Sequence, residues 1–475
     1  MSKKLYAFAL ILLLLTACGA GDQISQEDQV ATLVAEALMA EAESAASGEL
    51  EAATEEAPEP DAGAYGSCTN AELFTVVYVK DGNVWIWLEG GENFALTDSG
   101  DVTEVKVSDD GCRIAYAKDV VNPSFDTDVD QFSSPTLLEL WVVNSDGSNN
   151  QPLVETDFLF GLPLDEGMTS PSIYRFAWQP GSHTLAFSTR VQTYGLVVFD
   201  DINLVDANTG AMSTLRAPGE GGNFFFSPDG SQVAYSRSTS INAINTDGSN
   251  LREEMITFPY VITYSEFLYY PPVHWSLDGS SIMVAVPPED GLAPTESGLP
   301  PETGLWWIPL DGTPPYMPGS VQAEWFAVQT AQFSPDNGRV AYLRPVGETG
   351  SGQRELVIAL SDGSNESAQI QEEGILVGAW SLDSNQLVFW FQGPDGSPEI
   401  RLLNAADGSV TPGNSLTQFQ ANVAYFHWAL PDAYLQVRYR GADEFIELSL
   451  INLDGTGVIL DAYQGPPLQV DSSAP

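Results

Sequence analysis

The chain has 475 residues, 17 of them Lys or Arg against 65 Asp or Glu, for a formal net charge of −48. Such a surface repels nucleic acid, whose binding needs basic groups that displace counterions from phosphate, and it repels anionic lipid headgroups as well. Neither the number nor the spacing of the three cysteines supports a zinc site, and no cofactor is expected.

The first 17 residues read as an export signal. Lys3 and Lys4 precede an apolar run from Leu5 to Leu15, which is too short for an ordinary membrane-spanning helix. The run ends in Leu15-Thr16-Ala17-Cys18, which resembles the bacterial lipobox. That resemblance implies acylation of the Cys18 thiol and cleavage before it, so that covalent lipid rather than the protein surface holds the chain at a cell membrane or outer membrane. Residues 18–66 then form an acidic, Ala- and Glu-rich tether, which from Gly19 to Gly66 holds twelve acidic residues and no Lys or Arg. Its segment from Gln23 to Glu51 carries apolar residues loosely at helical spacing, as a helix or a short coiled coil would, or stays solvated like the rest of the tether, whereas Glu55 to Gly66, with two prolines, is expected to be extended. Without signal and tether, 15 basic and 53 acidic residues remain, a charge of −38.

From residue 67 to 470 the sequence is repetitive. Seven ungapped copies share an aromatic or Val anchor, a short polar turn and an apolar strand: VSDDGCRIAYAK from Val107, WQPGSHTLAFST from Trp178, FSPDGSQVAYSR from Phe226, WSLDGSSIMVAV from Trp275, FSPDNGRVAYLR from Phe333, WSLDSNQLVFWF from Trp380 and WALPDAYLQVRY from Trp428. The anchors lie 71, 48, 49, 58, 47 and 48 residues apart, about the length of a four-stranded propeller blade. In the copy at Phe226, Pro228 presets φ, Asp229 can bond its own backbone and Gly230 supplies positive φ, after which Val233 and Tyr235 alternate with Ala234 as in a half-buried strand. A further strand with a second turn follows each copy, as in INAINTDGSN from Ile241, and these later strands number eight.

The mismatch between seven anchors and eight later strands has a physical reading. The first unit, Thr75 to Thr97, lacks an anchor strand, while the chain continues past the last DG turn to Val470. If Leu468 to Val470 supply the missing strand, the ring closes and no long edge is left unpaired. The expected fold is therefore all-β, a β-propeller of eight four-stranded blades with N- and C-terminal strands joined, seven blades being the alternative, and residues 471–475 form a disordered tail.

The strand pair F/W-S-P-D-G-x-x-[VLI]-[AV]-[YF], with the D-G-[ST]-N turn that follows, resembles the WD40-like repeat of the TolB propeller family and its relatives, which include the propellers of prolyl-oligopeptidase-type enzymes. The resemblance covers roughly Thr75 to Val470 and implies architecture more than activity, because propellers host binding, scaffolding and catalysis alike. It departs from TolB in blade number and in lacking the additional N-terminal α/β domain.

If Cys18 is acylated, two thiols remain in a disulfide-permissive compartment. Cys68 and Cys112 fall near the seam of blades 1 and 2, so they either pair, pinning the tether there, or stay as separate thiols. Alternate loops of consecutive antiparallel strands share an end, which sets the DG turns at one end and the long inserts Asp119–Thr136, Val191–Asp201, Pro287–Thr303, Glu155–Pro171 and Glu253–Tyr270 at the other. Phe125, Phe132, Phe158, Phe160 and Tyr260 in these inserts either recognise a partner or cap the core. Asp126, Asp128 and Asp130 match the start of a calcium loop but lack its Gly and terminal Glu, so an acidic solvated loop competes with a weak calcium site and no metal is assigned.

No G-x-S-x-G elbow occurs, and His274 and His427, each just before an anchor Trp, are expected to pack between blades. Two functions remain. One is a non-catalytic, envelope-anchored binding or scaffolding lipoprotein whose insert face engages an envelope or extracellular protein, peptide or glycan; the other is an enzyme, or the propeller subunit of a hydrolase or peptidase.

Overall fold

A computed structural model describes residues 73–473 except 126–133, 163–168, 193–195, 261, 265–266, 287–301, 324–330, 347–352, 373, 393–397, 414–421, 441–443 and 466–468. The chain divides into two compact units, Met1–Asp61 and Ala62–Pro475, of which the first lies wholly outside the described residues, as do Cys18 and the tether.

Eight antiparallel sheets with four-stranded cores follow one another as the blades of a propeller. Blade 4 shows the pattern: Asn223–Phe226, Gln232–Ser236, Ser240–Asn245 and Arg252–Thr257, each paired with the next in sequence. Blade 3 adds a short strand, Leu196–Val198, and a separate hairpin, Ile262–Tyr264 with Phe267–Leu268, stands between blades 4 and 5.

The core is divided among eight hydrophobic clusters, one at each seam between neighbouring blades, including the seam of blade 8 with blade 1. This corrects the half-buried reading of the second strands. Val233 and Tyr235 pack into the seam with blade 3 and Ala234 into the seam with blade 5, and all three are fully buried. The alternation is thus large against small, not apolar against polar, because a propeller blade has a neighbour on each face.

The anchors explain their own recurrence. Trp178 Nε1 donates to Lys106 O at 3.1 Å, Trp275 Nε1 to Phe225 O at 3.0 Å, Trp380 Nε1 to Gln332 O at 3.1 Å and Trp428 Nε1 to Ala379 O at 3.0 Å. In each case the carbonyl belongs to the residue just before the preceding blade's anchor, so one indole both fills a seam and satisfies a backbone acceptor across it.

The ring closes through Val470–Ser473, which pairs antiparallel with Thr75–Tyr78 as the first strand of blade 1. The closing strand therefore begins at Val470 instead of ending there, and Asp471, Ser472 and Ser473 belong to the propeller rather than to a tail. Of the expected closing strand, Val470 is in this pairing and Gln469 O accepts from Val79 N at 2.9 Å, while Leu468 lies outside the described residues. The register was unreadable from sequence because Val-Asp-Ser-Ser carries no anchor aromatic and no apolar alternation.

Candidate binding sites on the insert face and in the axial channel

The strand order sets the turns between first and second and between third and fourth strands at one end, and the remaining connections at the other. All five long inserts belong to the second group. In blade 2 the insert is partly an arm of the sheet, since Arg113–Val121 and Thr136–Asn144 remain paired along their whole length. Phe125, near its tip, is 37% exposed, and Tyr260 in the connection from blade 4 is 60% exposed. Phe158 behaves otherwise: it lies in a short helix, Thr156–Phe160, and sets its ring edge-on to Phe187 at 5.9 Å, capping the core between blades 2 and 3. Phe160 is half-buried in the same helix. Phe132, Asp126, Asp128 and Asp130 lie outside the described residues.

Between blades 2 and 3, this end holds a polar cavity of about 380 Å³ lined by Thr103, Asp119, Ser134, Thr136, Leu138, Ser170, Ser172 and Arg190. Ser170 adopts φ +56°, an uncommon conformation for a non-glycine residue. Its Oγ accepts from Ser134 N and Asn122 Nδ2, both at 2.9 Å, so the strained wall is tied to the arm of blade 2. Arg190 forms no ion pair among the described residues, and its guanidinium carbon lies 6.0 Å from the Tyr174 ring.

A second cavity, of about 570 Å³, is axial. It touches the innermost strands of blades 3 to 7, and the residue just before each anchor lines it: Ala177, Phe225, His274, Gln332 and Ala379. The same register position in blades 8, 1 and 2 is held by His427, Asp471 and Lys106. These eight residues form a ring of two unlike arcs, one charged and the other aromatic or neutral. Within the charged arc, burial pushes the Asp471 carboxyl up, against the pull of Lys106, the Val107 N–H bonded to Asp471 Oδ2 at 2.9 Å, and His427. Burial pushes His427 down. Glu104, two residues before Lys106, is raised by burial and by Asp471, with Lys106 and Arg175 opposing.

In the other arc, burial depresses His274 to about 4, so its imidazole is neutral at pH 7. Its ring packs edge-on to Phe333 of blade 5's neighbour at 5.6 Å, and its Nε2 has no hydrogen-bond partner among the described residues. Packing between blades therefore holds for His274, yet the common repeat position also places His274 and His427 in one channel, which sequence reasoning missed. The signal was there: the residue before the anchor recurs at one register and varies from Ala to Lys to Phe, as a channel-facing position does. Asp471 left no such signal. His183, in a turn, pairs instead with Asp110 across the blade 2 and 3 seam at 2.9 Å.

Cys112 is disulfide-bonded. The chain has only two other cysteines, Cys18 and Cys68, and both lie outside the described residues. No group of His, Cys, Asp and Glu that could hold a metal occurs among the described residues.

Among solved structures, the chain is similar to a eukaryotic initiation factor (11% identity, TM-score 0.48, covering 85% of this chain and 99% of that one). It is also similar to TolB from Acinetobacter baumannii (12%, 0.36, 84% and 82%) and to the β-propeller domain of the Trilobed protease from Pyrococcus furiosus (14%, 0.43, 77% and 97%). These are distant likenesses. No family model and no curated protein matches the sequence.

Proposed function

We propose that the protein is an exported lipoprotein, acylated at Cys18, that presents its propeller as a non-catalytic binding platform for a protein, peptide or glycan of the cell envelope. The observation that carries this reading is the cavity at the insert end, where five uneven inserts leave a regular scaffold and Arg190 and Asp119 share a wall of hydroxyls without an ion pair to Arg190 among the described residues. The lipobox supports the anchoring, and the tether supplies reach from the membrane. The disulfide at Cys112 is compatible with an exported chain, and with Cys18 acylated its partner is Cys68.

The test has two arms. Intact-mass analysis of the mature wild-type protein should show an acyl adduct at Cys18 that Cys18→Ser abolishes. The unlipidated propeller should capture a partner from envelope extracts, and Arg190→Ala should weaken that capture at least about tenfold while leaving the fold intact, a loss typical of an unpaired charged contact. Capture unaffected by Arg190→Ala and by shortening of the blade 2 insert would place the partner elsewhere. A second reading, an enzyme or the propeller subunit of a hydrolase, is favoured by one observation: Glu104, Asp471 and His427 converge on the channel with opposed shifts. Hydrolysis that survives Asp471→Asn and His427→Gln would exclude that role for them.

A further inference from the structure

The axial cavity is built for a different kind of ligand from the insert face. It runs from the turn end, where Pro335 and Asn337 line it, to Arg175. Pro335 lies two residues after its blade's anchor and Arg175 three before its own, a span of about 16 Å at the rise of a strand. Between these limits the walls are largely aromatic, with Phe224, Phe225, Trp275 and Phe333 among them. The volume of about 570 Å³ is that of a small-molecule site.

Arg175 is the one permanently charged side chain on this wall. Its guanidinium carbon lies 4.7 Å from the centre of the Phe225 ring and 5.0 Å from that of Phe224, so aromatic faces hold it in place. Among the described residues it makes no hydrogen bond and no ion pair. In a chain with 65 acidic residues other arginines do find carboxylates: Arg344 engages both Glu355 and Glu366, and Arg216 engages Glu220 and Glu253. A guanidinium has five donors in a planar fork, and a partly desolvated one with no acceptor is poised for a planar bidentate anion.

We propose that the axial channel binds a small organic monoanion, a carboxylate carried on an aromatic or aliphatic body, with the carboxylate on the Arg175 fork and the body against Phe225 and Phe333. The net charge of the chain adds selectivity, since a second carboxylate would meet the negative field of the whole molecule, including Glu104 of the neighbouring blade, whose charge already acts on Arg175. Monocarboxylates should therefore be taken in preference to dicarboxylates of the same length.

The test uses the full mature chain carrying Cys18→Ser, with phenylacetate, indole-3-acetate and hexanoate as probes and their neutral amides as controls. Binding is followed by calorimetry and by tryptophan emission, since Trp178, Trp275 and Trp380 line the cavity. The expected result is saturable binding of at least one carboxylate, at least about tenfold weaker binding of its amide, and a comparable loss in Arg175→Met with partial retention in Arg175→Lys. Phe225→Ala should weaken the aromatic acids more than hexanoate. The proposal is overturned if no carboxylate saturates at about 10 mM, if amides bind as well as acids, or if folded Arg175→Met binds like the wild type. The amide comparison is made on the wild-type cavity, so it stands even if a variant fails to fold.

Discussion

At the scale of single residues, the repeated turn is a small hydrogen-bonded device, and its glycines are not equivalent. In blade 4, Ser227 Oγ donates to Asp229 Oδ1 at 2.6 Å, Ser231 N donates to the same oxygen at 3.0 Å, and Gly230 takes φ +68°. A Cβ on Gly230 would sit 2.4 Å from Pro180 O of the neighbouring blade, whereas one on Gly248, at φ +82°, would meet nothing within 4 Å. Gly248→Ala should therefore cost about 1 kcal/mol, the left-handed penalty alone, and Gly230→Ala at least about twice that, as denaturant melts would show. Blades 6 and 7 hold Asn337 and Ser384 at the equivalent positive φ, and Ser384 Oγ accepts from Asp336 N across the seam at 2.9 Å. Ser384→Ala should keep the strain and lose the bond, costing about 2 kcal/mol, while Ser384→Gly loses the bond but relieves the strain and should fall near neutral. His274 makes a pH prediction at this scale. Its folded value of about 4 lies below the ordinary 6.5, so between these limits the unfolded chain binds the extra proton and stability falls as pH drops. Glu104 and Asp471 are shifted upward and act with the opposite sign, so the comparison that isolates the histidine is wild type against His274→Leu. The melting temperature of the variant should fall less between pH 6.5 and 4, and identical slopes would refute the assignment.

Among the elements, the seam of blades 8 and 1 is the one that must hold two ends of the chain together, and it carries a polar clasp. Lys80 Nζ lies 2.7 Å from Asp461 Oδ2, and Tyr78 Oη donates to the same oxygen at 2.8 Å. Asn93 Nδ2 donates to Tyr78 Oη, also at 2.8 Å, and the ammonium sits over the rings of Trp85 and Tyr463 at 4.4 and 4.7 Å. Burial, with the nearby Asp461 carboxylate, holds the Tyr78 phenol far above its ordinary range, so it stays a donor at any physiological pH. Asp461→Asn should leave a mostly buried ammonium without its counter-charge and cost about 3 kcal/mol, whereas Asp461→Asn combined with Lys80→Met should recover part of that loss in a double-mutant cycle. Equal losses in the single and double variants would show that the pair contributes nothing. None of this was legible in the sequence. Second and third strands announce themselves through apolar runs and DG turns because their chemistry is local, and so the blade count, strand order and insert end could be read in advance. Asp461 and Lys80 are hundreds of residues apart, and nothing near either one points to the other. The channel ring was half-legible: its register is fixed by the anchors, but whether a blade sends Ala177 or Asp471 inward has no local consequence.

At the scale of the whole molecule, closure determines whether eight marginal sheets act as one. Every blade buries both faces against neighbours, so opening any seam exposes two faces, and blade 1 is the blade whose first and second strands come from opposite ends of the chain and are held together by strand pairing alone. Val470–Ser473 hold it from the inside: Val470 is buried in the blade 8 and 1 cluster, its carbonyl accepts from Tyr425 Oη at 3.1 Å, and Asp471 accepts from Val107 N in blade 2. A chain ending at Gln469 loses all three contacts and the ladder to Thr75–Tyr78. It also leaves that strand as a free edge on the innermost circle of the ring. Burial of one valine is worth about 1.5–3 kcal/mol and each hydrogen bond about 1, so the loss exceeds any single turn or clasp variant proposed above. Because both adjoining seams share the strand, the loss should appear as a lower melting temperature of the entire propeller, by at least about 5 °C, with no separate early transition. The exposed edge should also promote concentration-dependent association, since an unpaired strand of Thr75-Val76-Val77-Tyr78 is a template for another chain. A truncated protein that melts with the wild type and stays monomeric would mean that the seam clusters alone close the ring and that the last strand serves the channel instead.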